Sequence, residues 1–230
     1  MSEEGTRARR EFGQGPLARV VSFVYTVLIV ELHIVFATLP ALILLMLLDR
    51  DASNLPLAAL CAVPLGPAAS AAVYTLHHRR ADLTDLKPTA VFWHSYRANA
   101  RGVLRLWVPW LAWLTVVGVI LTHLPDAGIP AWWAGLLVLG AIAAMLWGAN
   151  ALVIVSLFSF RSRDAARLAA YFLWRTPGVT LAHACLFVLA AGVTVLWSEA
   201  AVILLASVFV LGLVSTTRPM AAEIQERFAG

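Results

Sequence analysis

Three polar side chains that could do chemistry occur inside long apolar stretches of the chain: Glu31, Asn150 and His183. A carboxyl group can exchange a proton or bind a cation, while an amide or an imidazole can donate and accept hydrogen bonds. A charge at the centre of a bilayer costs at least about 2.5 kcal/mol on insertion scales, so such residues normally face protein or water. We therefore predict that these three residues form a candidate intramembrane polar cluster.

No motif for catalysis, a cofactor or a metal accompanies this cluster. The sequence lacks a G-x-x-x-x-G-K-[ST] phosphate loop, an H-E-x-x-H zinc motif and a G-x-S-x-G nucleophile elbow. The adjacent His77 and His78 are expected to lie at the interface rather than to bind metal, and Cys61 and Cys185 are expected to be small packing residues. We expect no enzyme activity, no catalytic residue, no cofactor and no metal ligand.

The composition indicates which elements position the polar residues. The chain is 61% apolar and 13% charged, whereas soluble proteins are about 45 to 50% apolar and about 25% charged. The apolar residues form long blocks rather than alternating, which favours membrane helices over strands. We predict an all-α, polytopic transmembrane helical bundle of about six spans, at residues 20–48, 56–76, 103–121, 131–158, 179–197 and 200–215. In the main alternative, the last two spans form a hairpin that does not fully cross.

Charge placement predicts the topology of these spans, because Lys and Arg accumulate in cytoplasmic segments. With six alternating spans, sixteen of the 17 basic residues lie on one side and only Arg50 lies on the other. We therefore expect a multi-pass protein of the bacterial cell (inner) membrane, with a cytoplasmic basic arm at 1–19, a single transmembrane domain at 20–215 and a cytoplasmic tail at 216–230. Its expected partner is a bilayer with anionic headgroups on the cytoplasmic side. No nucleic-acid-binding motif is present, so nucleic acid is not expected as a partner.

Glu31 and Asn150 are predicted to lie at similar depths. At 1.5 Å per residue, Glu31 is roughly 16 Å from the start of the first predicted span, and Asn150 is roughly 12 Å from the cytoplasmic end of the fourth. We predict a structural hydrogen bond between them, and substrate or proton handling remains the alternative. Two ladders of small residues at four-residue spacing predict close helix packing: Gly140, Ala144 and Gly148, and Ala62, Gly66 and Ser70. Pro40, Pro64 and Pro67 predict kinks.

Two cytoplasmic segments are predicted to form amphipathic helices. One opens at Lys87 and Pro88, and the other is capped by Ser162 and runs to Arg175. Such helices commonly lie on the membrane surface, and the alternative is docking to the cytoplasmic face of a partner. The candidate docking residues are Phe92, Tyr96, Arg97, Arg101, Arg167, Phe172 and Arg175.

Four stretches resemble the YesL-like family of bacterial integral membrane proteins, whose domain has no known function. They are ELHIVFATLP at 31–40, GPAASAAVY at 66–74, FWHSYRAN at 92–99 and the segment at 161–180. The resemblance spans roughly residues 15–215. The family more often has asparagine where this chain has Glu31, which favours a structural role for that position over a proton relay.

The resemblance implies an association with carbohydrate uptake, because YesL-like proteins are often encoded beside sugar importers of the ATP-binding-cassette type. The chain has neither an ATPase loop nor a permease coupling loop. We therefore predict an accessory, noncatalytic membrane protein with an importer permease as a possible partner. The alternative is a small secondary transporter with a polar intramembrane site around Glu31. Matching broken helices in two inverted halves would favour the transporter, and the sequence shows no convincing match.

Overall fold

The computed structural model describes residues 16–49, 51–79, 87–197 and 199–228. These residues form ten α-helices and no strand, which confirms the all-α helical bundle. The helices are α1 Pro16–Met46, α2 Leu55–Cys61, α3 Leu65–His77, α4 Pro88–His123, α5 Trp132–Leu157, α6 Ser162–Arg175, α7 Pro177–Leu196, α8 Glu199–Leu204, α9 Ala206–Thr216 and α10 Arg218–Phe228. Most of the predicted basic arm lies outside the described residues, and its last four residues already belong to α1.

Four helices are long and apolar enough to cross a membrane: Leu17–Met46 within α1, α4, α5 and α7. The segment from Ala52 to His77 adds a fifth if α2 and α3 count as one span bent by 44° at Cys61–Leu65. The protein is thus a membrane-embedded bundle, and its four or five segments of spanning length are slightly fewer than the six predicted spans. The bend agrees with the kink predicted at Pro64, whose missing N–H interrupts the helical hydrogen bonds.

The sixth predicted span accounts for the lower count. Residues 200–215 do not form one helix, because the helix is interrupted at Leu205. The six-residue α8 precedes this residue and the eleven-residue α9 follows it. Eleven residues of α-helix are about 16 Å long, roughly half the thickness of the hydrocarbon layer. Neither helix alone reaches the length of a membrane span.

Helix α3 lies at the centre of the bundle and contacts α1, α4, α5 and α9. Its buried residues are mostly small, including Gly66, Ala68, Ser70, Ala71 and Ala72. Small side chains let neighbouring helix backbones approach closely, which is how helices pack where hydrocarbon is the solvent. The Ser156 hydroxyl of α5 donates to the Ser70 hydroxyl at 2.8 Å and links the two helices directly.

The first predicted amphipathic segment is not a separate surface helix. It is continuous with the third predicted span, and together they form α4, which has 36 residues. The Phe92 side chain is fully buried against Val30 of α1 and Ala72 of α3. Helix α4 therefore begins inside the bundle rather than on the membrane surface.

Helices α6 and α10 pack together in a core that is separate from the core around Phe92. Ala165, Ala169 and Phe172 of α6 are fully buried in the same cluster as Met220 and Ile224 of α10. The Nε of Arg175 lies 3.5 Å from Oε1 of Glu223, so an ion pair also joins these helices. The predicted tail at 216–230 thus contains a packed helix, which hydropathy alone does not indicate because α10 is too polar to resemble a span.

Two tryptophans of α4 fit against glycines of neighbouring helices. A Cβ atom on Gly66 would lie 2.6 Å from the Trp107 ring, and one on Gly148 would lie 2.8 Å from the Trp110 ring. The Trp107 indole N–H donates to the Ala62 carbonyl at 3.0 Å, beside the bend between α2 and α3. The Trp110 N–H donates to the Ala144 carbonyl at 2.8 Å. The small-residue ladders thus receive large rings as well as neighbouring backbones.

Candidate functional site

Glu31 lies midway along α1, fifteen residues from each end of the helix. Its Oε2 accepts a hydrogen bond from the backbone N–H of Ser207 at 2.6 Å. Ser207 is the second residue of α9, so the carboxyl group of one helix sits at the amino terminus of another. The two residues are 176 positions apart in the sequence.

The break at Leu205 explains why this position needs an acceptor. The first four N–H groups of a helix have no partner within that helix, and a side chain just before the helix normally accepts from one of them. Leu205 has no polar side chain, and it makes no capping hydrogen bond to α9. Glu31 supplies that acceptor from α1.

The second oxygen of Glu31 is available for another interaction. Oε1 is buried and has no hydrogen-bond partner in the described part of the chain. A buried carboxyl oxygen without a partner is uncommon, and a bound water, a bound ion or a chemical role can explain it. The hydrogen bond to Ser207 uses only one of the two carboxyl oxygens of Glu31.

Asn150 does not join Glu31, contrary to the predicted hydrogen bond. Its Nδ2 donates instead to the Ala169 carbonyl of α6 at 3.5 Å, a long contact, and its Oδ1 has no partner in the described residues. Beside it, the Trp147 indole donates to the Ala166 carbonyl at 3.0 Å. Asn150 thus belongs to the junction between α5 and α6. The depth estimate for the two residues could not reveal that they face different helices.

His183 occupies a third, separate environment. It is 1% exposed on the inner face of α7, one turn after the buried Val179. Neither ring nitrogen has a hydrogen-bond partner in the part of the chain that the structure describes. No hydrogen bond joins any two of Glu31, Asn150 and His183, so the predicted cluster is three separate polar positions.

The residues predicted to dock a partner divide into three groups by their exposure. Phe92 and Phe172 are fully buried core residues, so their side chains are not accessible to another protein. Tyr96 is half-buried and stacks on Phe92, with ring centroids 6.3 Å apart. The four arginines of the set are exposed: Arg97, Arg101, Arg167 and Arg175. The docking prediction is therefore wrong for Phe92 and Phe172, because both side chains pack in the core.

The outer face of α6 carries a stripe that the sequence prediction largely missed. Arg163, Arg167, Tyr171 and Trp174 follow one another at helical spacing and are all exposed. The Trp174 side chain is 86% exposed and that of Tyr171 is 47% exposed. We call these four residues the α6 stripe. Their spacing could have been read from the sequence once Ala165, Ala169 and Phe172 were assigned to the core.

Basic groups also gather where α3 ends. The Arg79 guanidinium lies 5.0 Å from the centre of the Phe23 ring of α1, in cation–π geometry. Partial burial lowers the pKa of Arg79, and the nearby positive charge of Arg218 lowers it further. Positive charge is thus concentrated at this end of α3 and at the start of α10.

One cavity of about 290 Å³ lies between α4, α5, α7, α8 and α9, and its wall is almost entirely apolar. Within the described residues, no group of three or more His, Cys, Asp or Glu side chains could hold a metal ion. No known family model matches the chain, and no curated protein or solved structure matches it either.

Proposed function

We propose that this chain is a noncatalytic accessory protein of the bacterial cell membrane. In this proposal it docks through the α6 stripe on the permease of a carbohydrate importer of the ATP-binding-cassette type. The link to sugar import is what the YesL-like resemblance implies, and the topology is the one that the arginine distribution predicts, with both termini in the cytoplasm. This topology requires α8 and α9 together to return the chain across the membrane. The ion pair between Arg175 and Glu223 supports such a return, because it joins the segment just before α7 to α10.

The observation that carries the proposal is the exposure of the α6 stripe. The opposite face of α6 is held in the core by Ala165, Ala169 and Phe172, so the stripe is presented on a fixed helix. Tryptophan, tyrosine and arginine are the residues most enriched among those that dominate binding energy at protein interfaces. An 86% exposed Trp174 beside Tyr171 and Arg167 is such a combination.

Co-purification in mild detergent tests the docking. The tagged parent chain is compared with the Tyr171→Ala/Trp174→Ala double variant and with Leu181→Ala as a matched control. Leu181 is 67% exposed on α7 and lies outside the stripe. We expect the importer permease to be recovered with the parent and the control, and to be lost with the double variant.

Two results would contradict the docking proposal. The double variant could retain the permease as well as the parent does, or the parent could be recovered repeatedly without any permease. In the second case, the stripe would be assigned to the lipid headgroup layer, where tryptophan, tyrosine and arginine are also favoured. Binding of the parent and the double variant to vesicles with and without anionic lipid would then distinguish that role.

Accessibility of single cysteines tests the proposed topology. Cys61 and Cys185 are both free, so they are first replaced by alanine. A cysteine is then placed at Arg167 in one variant and at Asp126, in the loop between α4 and α5, in another. A membrane-impermeant thiol reagent applied to intact cells should label position 126 and not position 167. The reverse pattern would invert the topology and place the α6 stripe outside the cell.

The second candidate function is that of a small secondary transporter. The observation that favours it is the unpaired Oε1 of Glu31 beside the break between α8 and α9, because transporters commonly bind substrate and ions at broken helices. The apolar cavity on the other side of α9, lined by Ala206 and Phe209, does not suit a sugar. Flux into proteoliposomes should be the same for the parent and Glu31→Gln, and flux that requires Glu31 would favour the transporter.

A further inference from the structure

The wall of the 290 Å³ cavity offers almost no polar group to a ligand. It is formed by side chains such as Trp107, Trp110, Met145, Phe187, Ala190 and Phe209. The two indole N–H groups are already used, because Trp107 donates to the Ala62 carbonyl and Trp110 to the Ala144 carbonyl. A polar ligand would lose its hydrogen bonds to water and gain none here, which disfavours it. The apolar wall therefore favours a hydrocarbon ligand.

The cavity is larger than a site for a single small aromatic ring. An engineered apolar cavity of about 150 Å³ is known to hold benzene. The cavity here is about 290 Å³, roughly twice as large as that benzene site. It therefore has space for several more carbon atoms than benzene contains.

The mouth of the cavity is continuous with the lipid-facing surface. Met145 of α5 lines the cavity and is also 36% exposed, so it lies at the edge of the opening. Ile142 lies about one turn before Met145 on α5 and is also exposed. Val188 and Leu189 lie between the cavity-lining Phe187 and Ala190 on α7, and both are exposed. In a membrane-embedded bundle these side chains face lipid tails, so the hydrocarbon nearest the mouth is the acyl chain of a bilayer lipid.

We propose that this cavity binds one acyl chain of a membrane glycerophospholipid, which enters from the bilayer between α5 and α7. The bound chain fills the space between the Trp107 and Trp110 rings and helix α9. This binding site is independent of the docking of the α6 stripe on a partner protein.

Photo-crosslinking in liposomes tests the proposal. The full-length parent is reconstituted with phosphatidylglycerol that carries a diazirine midway along one acyl chain. The labelled residues are then identified by mass spectrometry after irradiation. Residues such as Trp110 and Phe209, on the inner wall of the cavity, should be labelled in addition to the lipid-facing Val188 and Leu189.

A pair of neighbouring substitutions provides the control. Ala190 lines the cavity, whereas Ala191 is exposed on the outer face of the same helix. Ala190→Trp fills the cavity, and it should reduce labelling of Trp110 and Phe209 about tenfold, which corresponds to about 1.4 kcal/mol of binding free energy. Ala191→Trp adds the same side chain facing lipid, and it should leave that labelling unchanged. Folding of each variant is checked by its helical circular dichroism and by its elution in detergent.

Three results would overturn the proposal. In the parent, label could appear only on lipid-facing residues. Ala190→Trp could fold and leave the labelling of Trp110 and Phe209 unchanged, or Ala191→Trp could reduce it equally. If Ala190→Trp does not fold, Ala190→Leu replaces it and should give a smaller reduction in the same direction. The labelling pattern of the parent decides the question even if neither variant folds.

Discussion

Glu31 of α1 accepts a hydrogen bond from the Ser207 backbone at the first turn of α9, with 2.6 Å between Oε2 and N. This contact gives a structural reason for an acidic residue in the middle of a membrane helix. The helix is interrupted before α9, and the first backbone N–H groups of α9 therefore have no partner within the helix. In hydrocarbon, water does not reach them. The carboxyl group of Glu31, from a neighbouring helix, accepts a hydrogen bond from one of them.

Removal of this cap should weaken the bundle. We expect Glu31→Ala to lower the free energy of unfolding in detergent by about 1 to 2 kcal/mol, because it leaves a buried N–H without a partner. Glu31→Gln should cost clearly less, since its side-chain oxygen can still accept from Ser207. Leu32→Ala is the control, because Leu32 is 62% exposed toward lipid. Equal destabilisation by Glu31→Ala and Glu31→Gln would show that the charge, rather than the hydrogen bond, stabilises the fold.

A methyl group on Gly148 should be poorly tolerated. Its Cβ would lie 2.8 Å from the Trp110 ring, and such overpacking typically costs about 1 to 3 kcal/mol. Gly135→Ala on the same helix is the matched control, because no atom lies within 4 Å of its added Cβ. Thermal unfolding in detergent should show a lower Tm for Gly148→Ala and an unchanged or higher Tm for Gly135→Ala. A Gly148→Ala variant as stable as the parent would disprove the tight packing of this pair.

The Trp107 hydrogen bond at the bend between α2 and α3 can be removed with little change of shape. Trp107→Phe deletes the donor to the Ala62 carbonyl, and we expect it to destabilise the protein by about 1 kcal/mol beyond the loss of ring area. Trp113→Phe serves as the comparison, because Trp113 is 45% exposed and makes no side-chain hydrogen bond among the described residues. Urea titration measures the free energy of unfolding of both variants. Equal values would show that the Trp107 hydrogen bond does not stabilise the bend.

Helix α10 should be required for stability rather than act as a loose tail. Ile224 is fully buried in the core shared with α6, so Ile224→Ala should cost about 2 to 5 kcal/mol. Gln225→Ala on the exposed side of the same helix should be nearly neutral. Protease sensitivity of the α10 segment gives a second readout. If both variants match the parent, α10 contributes little to the fold.

The sequence predicted the helical class and four of the spans because these depend on long apolar runs. Residues 131–158 and 179–197 match α5 and α7 within two residues at each end. The last span was predicted as one continuous helix, and this was wrong because hydropathy is insensitive to an interruption at an apolar residue such as Leu205. The packing of α10 was missed for the converse reason, since among its residues 218–227 only Met220, Ala221 and Ile224 are buried.

The polar residues were found from the sequence, but their partners were not. Glu31, Asn150 and His183 stand out by residue type alone. Which helix each one faces depends on the rotation of the helices about their axes, and depth estimates carry no information on rotation. The Glu31 partner was beyond prediction for another reason, because a backbone N–H becomes available only where a helix breaks.

Amide hydrogen exchange at Ser207 tests most directly whether Glu31 is a helix cap. Exchange of the α9 amino terminus is measured in detergent for the parent, Glu31→Gln and Glu31→Ala, with the middle of α5 as an internal reference. We predict protection in the parent and in Glu31→Gln, and exchange about tenfold or more faster in Glu31→Ala, the equivalent of about 1.4 kcal/mol. Equal protection of Ser207 in all three proteins would contradict the cap and would return Glu31 to the role of a substrate or proton site.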